Sequence, residues 1–390
     1  MINLKLIRSN EPTAISDKPQ VSVVLPCLNE GQTIAMVLDE VNAAFGNNPL
    51  YSFEIIVADN GSSDNSRSIA MAKGAKVVVV QDKGYGAALL GGFKAARGEI
   101  IVFGDADLTY DFGQAPMLVT YLLKEEAAMA LGSRLNGIIE SGAMPVLHRY
   151  VGTPILTRLI NVLFHGTITD CNTGFRAFRR DRLPIWNLSS TGMELASEMI
   201  VSCLCAGDRI VEWPISLRKD GQGRIPHLST WRDGMRHLLF ILSRAPHGFT
   251  YVGLVLLGLS LLVALPSMLI GPIRVGPIGI FDFHSLILAI LSGFSGCQVL
   301  AYGLILDSKS LNPLRINGYM LRIGEVSLLK ILLGLIMFVL AYAIFIGSVW
   351  YRHGFNNIHY LRVSLSLLYI TVVVGSMGVG LFIAQIHKRT

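Results

Sequence analysis

The sequence predicts an α/β domain on a mostly parallel, doubly wound sheet, followed by an all-α transmembrane domain. Three observations predict it. Short β-branched runs alternate with helical segments through residues 21–132. Only 15% of the 390 residues are charged, against about a quarter in soluble domains, and most of that charge lies in residues 1–247. Long apolar runs dominate residues 248–390.

The first strand is "VSVVL" (21–25), followed by the helical pattern "GQTIAMVLDEVNAAF". "FEIIVA" (53–58) is the second strand, and "DNSRSIAMAKG" a helix with Asp64 as N-cap and Gly74 just past its end. "AKVVVV" (75–80) is the third strand, leading to the helix "YGAALLGGFKAARG", closed by Gly98. "EIIVF" (99–103) is the fourth, "APMLVTYLLKEE" a helix, and "AAMALG" (127–132) the fifth strand. Strands read as continuous apolar runs when both faces are buried, and strand–helix alternation implies parallel pairing.

In such sheets ligands sit at the carboxyl ends of the strands. Here those ends are "LPCLNE", "ADNGSSD", "QDKGYG" and "GDADLTYD". Four polar, acidic or glycine-rich ends converging on one edge make a candidate site. Asp105 and Asp107 flank Ala106 at the tip of the fourth strand, and a bend after Gly104 would aim both carboxylates at one divalent cation. Mg²⁺ or Mn²⁺ suits oxygen ligands and completes its shell with substrate phosphates. A turn or N-cap aspartate explains one of the pair but hardly both. "KGYGA" (83–87) lacks both the dinucleotide-fold spacing and the P-loop ending. A tight turn with close helix packing explains it equally well.

In that order, "VSVVLPCLNEG", "IIVADNGSSDNS", "KGYGAALLGGF" and "DAD" resemble the inverting GT-A glycosyltransferases that use nucleotide sugars. "LGSR", "CNTGFRAFRRD", "GMELASEM" and "RIVEWPISLRKDGQGR" narrow the resemblance to polyprenyl-phosphate glycosyltransferases of the dolichyl-phosphate mannose synthase type, over roughly residues 20–240. The resemblance implies a GT-A fold, a UDP or GDP sugar as donor and an undecaprenyl or dolichyl phosphate as acceptor. Pro26, Asn29, Glu30 and Asp59 would hold the base and ribose, with Lys83, Gly84 and Ala106 completing the nucleotide site. Asp105 and Asp107 would bind the diphosphate through the metal. Ser133, Arg134, Arg149 and Arg224 would lie near the acceptor phosphate. Arg218 opens an R-x-x-G-x-x-R pattern with Gly221 and Arg224, implying a mobile loop that closes over the diphosphate. Where many relatives carry a metal-contacting Gln two positions after the second Asp, this chain has Thr109, which leaves the third protein ligand open.

The chemistry agrees with that assignment. A lipid phosphate is ionised at neutral pH and attacks without a general base. Positioning and neutralising the departing diphosphate remain, and metal-bound carboxylates with arginines supply both. Glu194, which would be the base for a hydroxyl acceptor, would touch sugar hydroxyls instead, or Glu198 would take its place. Two alternatives stand beside this one. One is a glycolipid or polysaccharide synthase with a hydroxyl acceptor, although the processive Q-x-x-R-W motif is missing. The other is a non-catalytic scaffold assisting lipid-linked sugar handling.

Four spans are expected, at about 249–271, 284–306, 327–350 and 364–386, each able to cross ~30 Å of hydrocarbon. Loop Lys/Arg counts place both termini and the catalytic domain in the cytoplasm of a plasma or inner membrane. Arg232, Arg236 and Arg244 form a collar facing the membrane. No basic stretch is interleaved with aromatics, so nucleic acid is not an expected partner. Five scattered cysteines without a C-x-x-C pair argue against disulfides and zinc. The spans hold almost no ionisable groups, which counts against a carrier. The expected organisation is a lead-in (1–20), the catalytic domain (21–229), an interfacial amphipathic helix (230–247) and the membrane domain (248–390). The stretch 147–165 is a second interfacial candidate, or else a core helix. The sugar, the nucleotide and whether the chain forms a homo-oligomer stay open.

Overall fold

The computed structural model describes residues 18–219, 230–270, 273–275, 278–308, 314–352 and 359–389. The chain divides into two compact units, Met1–Ile241 and Leu242–Thr390.

In the first unit the elements run β1 (Val21–Cys27), α1 (Ile34–Gly46), β2 (Phe53–Asp59), α2 (Ser66–Ala72), β3 (Lys76–Val79), α3 (Tyr85–Ala95), β4 (Ile100–Phe103), α4 (Ala115–Lys124) and β5 (Met129–Ile139). Then come α5 (Thr153–Phe164), β6 (Arg176–Arg179), the single turn α6 (Leu183–Trp186), α7 (Leu195–Cys205), β7 (Ile210–Leu217) and α8 (Thr230–Ser243). The sheet has seven strands in the order β3-β2-β1-β4-β6-β5-β7. The pairs β1–β2, β1–β4, β2–β3 and β5–β7 are parallel. Strand β6 runs antiparallel to both neighbours, β4 and β5.

Side-chain alternation builds two cores. Val21, Val23 and Leu25 of β1 face α1 and α4, while Val24 faces α3, α5 and α7. Helix α1 buries Ile34, Val37, Leu38, Val41 and Phe45, the stripe that a period of 3.6 lays on one face. Strands β1 and β4 are buried throughout, as their apolar runs predict. Strand β3 departs from that expectation: it is an edge strand and both its end residues are exposed.

Two strands escaped the sequence pattern. β6 spans four residues, "RAFR", half of them arginine. β7, "IVEWPISL", carries Pro214, which a strand tolerates at a sheet edge. β5 also runs on to Ile139, seven residues beyond its predicted end at 132.

The candidate interfacial stretch 147–165 begins with a π-turn at His148–Gly152 and continues as α5. Leu156 and Ile160 pack into the core, whereas Tyr150, Val151, Ile155 and Val162 are exposed. Helix α8 falls in the stretch expected to be an interfacial amphipathic helix (230–247). It buries Asp233, His237 and Ile241, one turn apart, and leaves Met235 and Leu239 exposed. The Nδ1 of His237 lies 2.7 Å from the Ser197 hydroxyl on α7.

Burial drives the His237 pKa down to about 4; Glu194 and Asp233 pull it up, and Arg176 pushes it down. Unfolded, the imidazole titrates near 6.5, so the folded unit favours the neutral ring. This contribution is complete above about pH 6.5 and is lost as the pH falls toward 4, a loss on the order of 3 kcal/mol. Melting curves between pH 7 and 4.5 should show wild type losing more stability than His237→Gln. Parallel losses would contradict the buried neutral imidazole.

In the second unit α9 (Pro246–Leu269) precedes a short hairpin of β8 (Ile273–Val275) and β9 (Ile278–Ile280). There follow α10 (Phe283–Asp307), α11 (Arg315–Met320), α12 (Glu325–Arg352) and α13 (His359–Arg389). Helices α9, α10, α12 and α13 are each long and apolar enough to cross a membrane. Gly253 and Gly296 bring the α9 and α10 backbones together, since a Cβ on either would lie within 3.0 Å of the other helix. Ser260 donates to the Ala289 carbonyl and lies 2.9 Å from the Tyr369 hydroxyl, joining α9, α10 and α13. Charged groups sit at span ends: Asp282 caps α10, and Asp307 accepts from the Leu314 N–H and the Asn317 amide.

Candidate active site

The carboxyl ends of β1, β2 and β4 lie side by side, and short polar links lock their loops together. Asn29 takes a left-handed conformation (φ 58°) after β1. Its N–H donates to the Ser62 hydroxyl, and its side-chain oxygen accepts from the Ser63 N–H. Pro26 pairs with Ala58 across the β1–β2 register. Asp59 ends β2 fully buried. It accepts from the Gly61 and Ser62 N–H groups and from Arg67 at 2.7 Å. Burial raises its pKa, but hydrogen bonds from Ser62, Gly61 and Arg67 outweigh that and hold the carboxylate below its usual range. Glu30 is buried and accepts from Thr33, whose hydroxyl also donates to the Ala106 carbonyl at 2.8 Å. Thus the loop after β1 buttresses the loop that carries Asp105 and Asp107.

Those two aspartates follow β4 directly. Asp105 Oδ1 accepts the Tyr85 hydroxyl at 2.9 Å. Asp107 Oδ1 accepts the Thr109 N–H at 3.1 Å and its hydroxyl at 2.5 Å. Asp107 is buried and Asp105 half-buried. Leu108, at φ 68°, turns the chain sharply after the pair. Among the described residues no group of three His, Cys, Asp or Glu side chains could hold a metal ion.

The "KGYGA" segment is a tight turn with close packing. Gly84 has φ +130°, and a Cβ there would meet the Thr191 carbonyl at 2.2 Å. A Cβ on Gly86 would meet the Ser190 carbonyl at 2.4 Å. Asn60 binds this turn to β2: it donates to the Asp82 carbonyl and accepts the Gly84 N–H, and Lys83 donates to its backbone carbonyl. The buried Glu198 holds the opposing 189–190 loop through the Ser189 and Ser190 N–H groups. Of the two glutamates weighed in "MELASEM", Glu198 is therefore occupied with the fold. Glu194 stands at the N-terminus of α7 with Oε1 accepting the Gly192 N–H. Its Oε2 is buried without a partner.

The residues expected at the acceptor phosphate lie on and beyond β5. Ser133 is fully buried, 2.7 Å from the Thr169 hydroxyl. Arg134 grips Asp170 with two side-chain bonds, of 2.7 and 2.8 Å, and its own N–H adds a third. Arg149 stacks over the adjacent Tyr150 ring. The turn that holds it lies near Arg134, since burial and then the Arg134 charge depress the pKa of its neighbour His148. Arg218 follows β7 and bridges Glu40 at 2.7 Å and Asp111 at 2.9 Å. Its N–H donates to the Thr109 carbonyl, so it borders the Asp105–Asp107 loop. Gly221 and Arg224 lie outside the described residues.

Sequence reasoning missed Tyr85, Asn60, Thr33, Asp170, Glu40 and Asp111. Tyr85 sits between the two glycines already singled out. The others lie 22 to 178 residues from the partners that reveal them, with no local pattern to mark them.

The Glycosyl transferase family 2 model matches residues 22–183. The low-salt glycan biosynthesis hexosyltransferase Agl6 of Haloferax volcanii is 38% identical over 303 residues, covering 76% of this chain and 70% of that protein. A dolichyl-phosphate hexose transferase from the same organism is 30% identical over 200 residues, covering 51% of this chain and 83% of that one. Among solved structures, glucosyl-3-phosphoglycerate synthase from Mycobacterium tuberculosis, in complex with Mn²⁺, UDP and glucosyl-3-phosphoglycerate, aligns with a TM-score of 0.47. It is 25% identical, over 58% of this chain and 80% of that one.

Proposed function

The chain belongs to glycosyl transferase family 2, and from that membership we propose that it moves a sugar from a nucleoside diphosphate to a polyprenyl phosphate with inversion. One observation carries the proposal: Asp105 and Asp107, two residues apart, directly follow β4 in a chain that also holds four apolar helices of membrane length. The relative named as a dolichyl-phosphate hexose transferase supports a lipid phosphate as acceptor.

The donor set fits Mg²⁺ or Mn²⁺, which binds one or two carboxylates and fills its shell with water and substrate phosphates. The Thr109 hydroxyl is engaged with Asp107 and is not assigned as a ligand. When bound, the cation neutralises charge on the departing diphosphate.

The protein's own residues do the rest. Tyr85 and Thr109 orient the two carboxylates before the donor arrives. The loops held by Asn29, Glu30, Asp59 and Asn60 frame the base and ribose. Gly84 and Ala106 would border the nucleotide through their backbones, with Lys83 at its margin. The acceptor phosphate, with a second pKa of about 6, is mostly dianionic at neutral pH and needs no base. Its oxygen bonds to the anomeric carbon as the bond to the diphosphate oxygen breaks, and the nucleoside diphosphate leaves. Arg134 and Arg149, beside Ser133, would receive the acceptor headgroup, and Arg224 is proposed to join them. The unpaired Oε2 of Glu194 would accept a sugar hydroxyl. The catalytic unit and both termini are proposed to face the cytoplasm, where sugar nucleotides are made.

Arg218 now holds Glu40 and Asp111 and would turn to the diphosphate during transfer. Arg218→Ala should therefore lower kcat more than it raises the donor KM. A raised KM with unchanged kcat would assign Arg218 to ground-state binding instead. The reading as a whole is tested by screening UDP and GDP sugars against dolichyl and undecaprenyl phosphate, with NMR assignment of the product anomer. An inverted lipid-linked sugar is expected; a retained configuration would overturn the mechanism.

The unpaired Glu194 oxygen also favours a second reading, a hydroxyl acceptor with Glu194 as base. The two readings differ in the acceptor they require.

A further inference from the structure

Arg176 is the largest fully buried side chain among the described residues. A buried arginine normally faces a carboxylate; among the described residues none lies within salt-bridge distance of this one. Its guanidinium spends its donors on three backbone carbonyls: Nε on Thr173 at 2.9 Å, one terminal nitrogen on Ala196 at 2.7 Å and the other on Cys171 at 3.0 Å. It lies 6.0 Å from the centre of the Phe103 ring, and the strand register sets Arg176 opposite Phe103.

Each of these neighbours leads to a different part of the site. Phe103 is the last residue of β4, two before Asp105. Cys171 and Thr173 belong to the loop between Asp170, which holds Arg134, and Gly174. The Gly174 N–H donates to the Tyr110 hydroxyl, and a Cβ on Gly174 would lie 2.8 Å from Asp105 Oδ2. Ala196 is the second residue of α7, two residues after Glu194.

We propose that Arg176 is a positioning residue for sugar transfer: one planar guanidinium sets the Asp170–Gly174 loop and the Glu194 end of α7 against the β4 tip that bears Asp105 and Asp107. The inference rests on the function proposed above. Arginine is needed for its shape, because three donors in a fixed plane reach three carbonyls at once. A lysine supplies the same charge from a single point. Small misplacement of groups around a reacting centre lowers turnover while leaving ground-state binding largely intact, and about 1 Å costs up to 100-fold.

The test compares wild type with Arg176→Lys in detergent, using the sugar nucleotide and polyprenyl phosphate that wild type turns over. Melting temperature and Mn²⁺-dependent binding of the nucleoside diphosphate are followed alongside. The expected result is a 10- to 100-fold lower kcat, with donor KM and nucleotide affinity changed less than about threefold and melting preserved within a few degrees. A lower melting temperature with unchanged kcat in the folded fraction would overturn the proposal, since Arg176 would then serve the fold alone. If the lysine variant does not fold, Arg176→Gln, which keeps two donors and no charge, is read by the same split. Failure of both to fold would also overturn it. Absence of transfer by wild type would overturn the function proposed above and this inference with it, whereas active wild type with an active Arg176→Lys overturns the inference alone.

Discussion

Asp107→Asn should lower turnover by roughly 10²- to 10³-fold or more while the protein stays folded. Asparagine keeps the shape of the side chain and an oxygen where Asp107 Oδ1 now accepts both the N–H and the hydroxyl of Thr109. It removes the negative charge, and with it a hard oxygen ligand for Mg²⁺ or Mn²⁺. The loss should therefore appear in kcat and in metal-dependent nucleotide binding but not in the melting temperature. Asp107→Ala should lose the same activity and, in addition, about 1 kcal/mol of stability for each hydrogen bond removed. Activity near wild type in the asparagine variant, at limiting Mn²⁺, would remove the carboxylate pair from the mechanism.

Arg134→Met should destabilise the catalytic unit by about 3–5 kcal/mol, because it strands a buried carboxylate. Asp170 is fully buried, and Arg134 grips both of its oxygens. Burial works against the Arg134 charge, but Tyr110 and Asp170 outweigh it and hold the pKa above the ordinary arginine value. Replacing the pair together, as Arg134→Met with Asp170→Asn, should recover part of that stability, since no unpaired charge remains. Transfer should stay low in the double variant if Arg134 also receives the acceptor phosphate. Recovery of both stability and transfer would make Arg134 a purely structural residue. Thermal melting and initial rates on the three proteins separate these outcomes.

How far the sequence carried depended on the kind of signal. β1, β2 and β4 were legible because they are buried on both faces over most of their length and are mostly apolar. The four long helices were legible because hydrocarbon demands about 20 apolar residues in a row. The aspartate pair stood out because an apolar strand ended in acid. By contrast, β6 is held by its position between β4 and β5, and neither "RAFR" nor its length announces a strand. Arg134 was expected at the acceptor phosphate and Arg176 had no expected role, yet one pairs with a carboxylate 36 residues away and the other with carbonyls 3 to 20 residues away. Those contacts belong to the fold and leave no periodic trace in the chain. The resemblance assigned Asp59 to the nucleotide. The structure adds that Arg67 and two N–H groups already hold its carboxylate.

The phosphate nucleophile is the central claim, and one measurement tests it most directly. Purified protein, Mn²⁺ and a radiolabelled sugar nucleotide that supports turnover are offered, in separate reactions, a polyprenyl phosphate and the corresponding free polyprenol. The account predicts a labelled lipid-linked sugar with the phosphate and none with the alcohol. Label transferred to the alcohol, or to diacylglycerol, with none to the phosphate would contradict it.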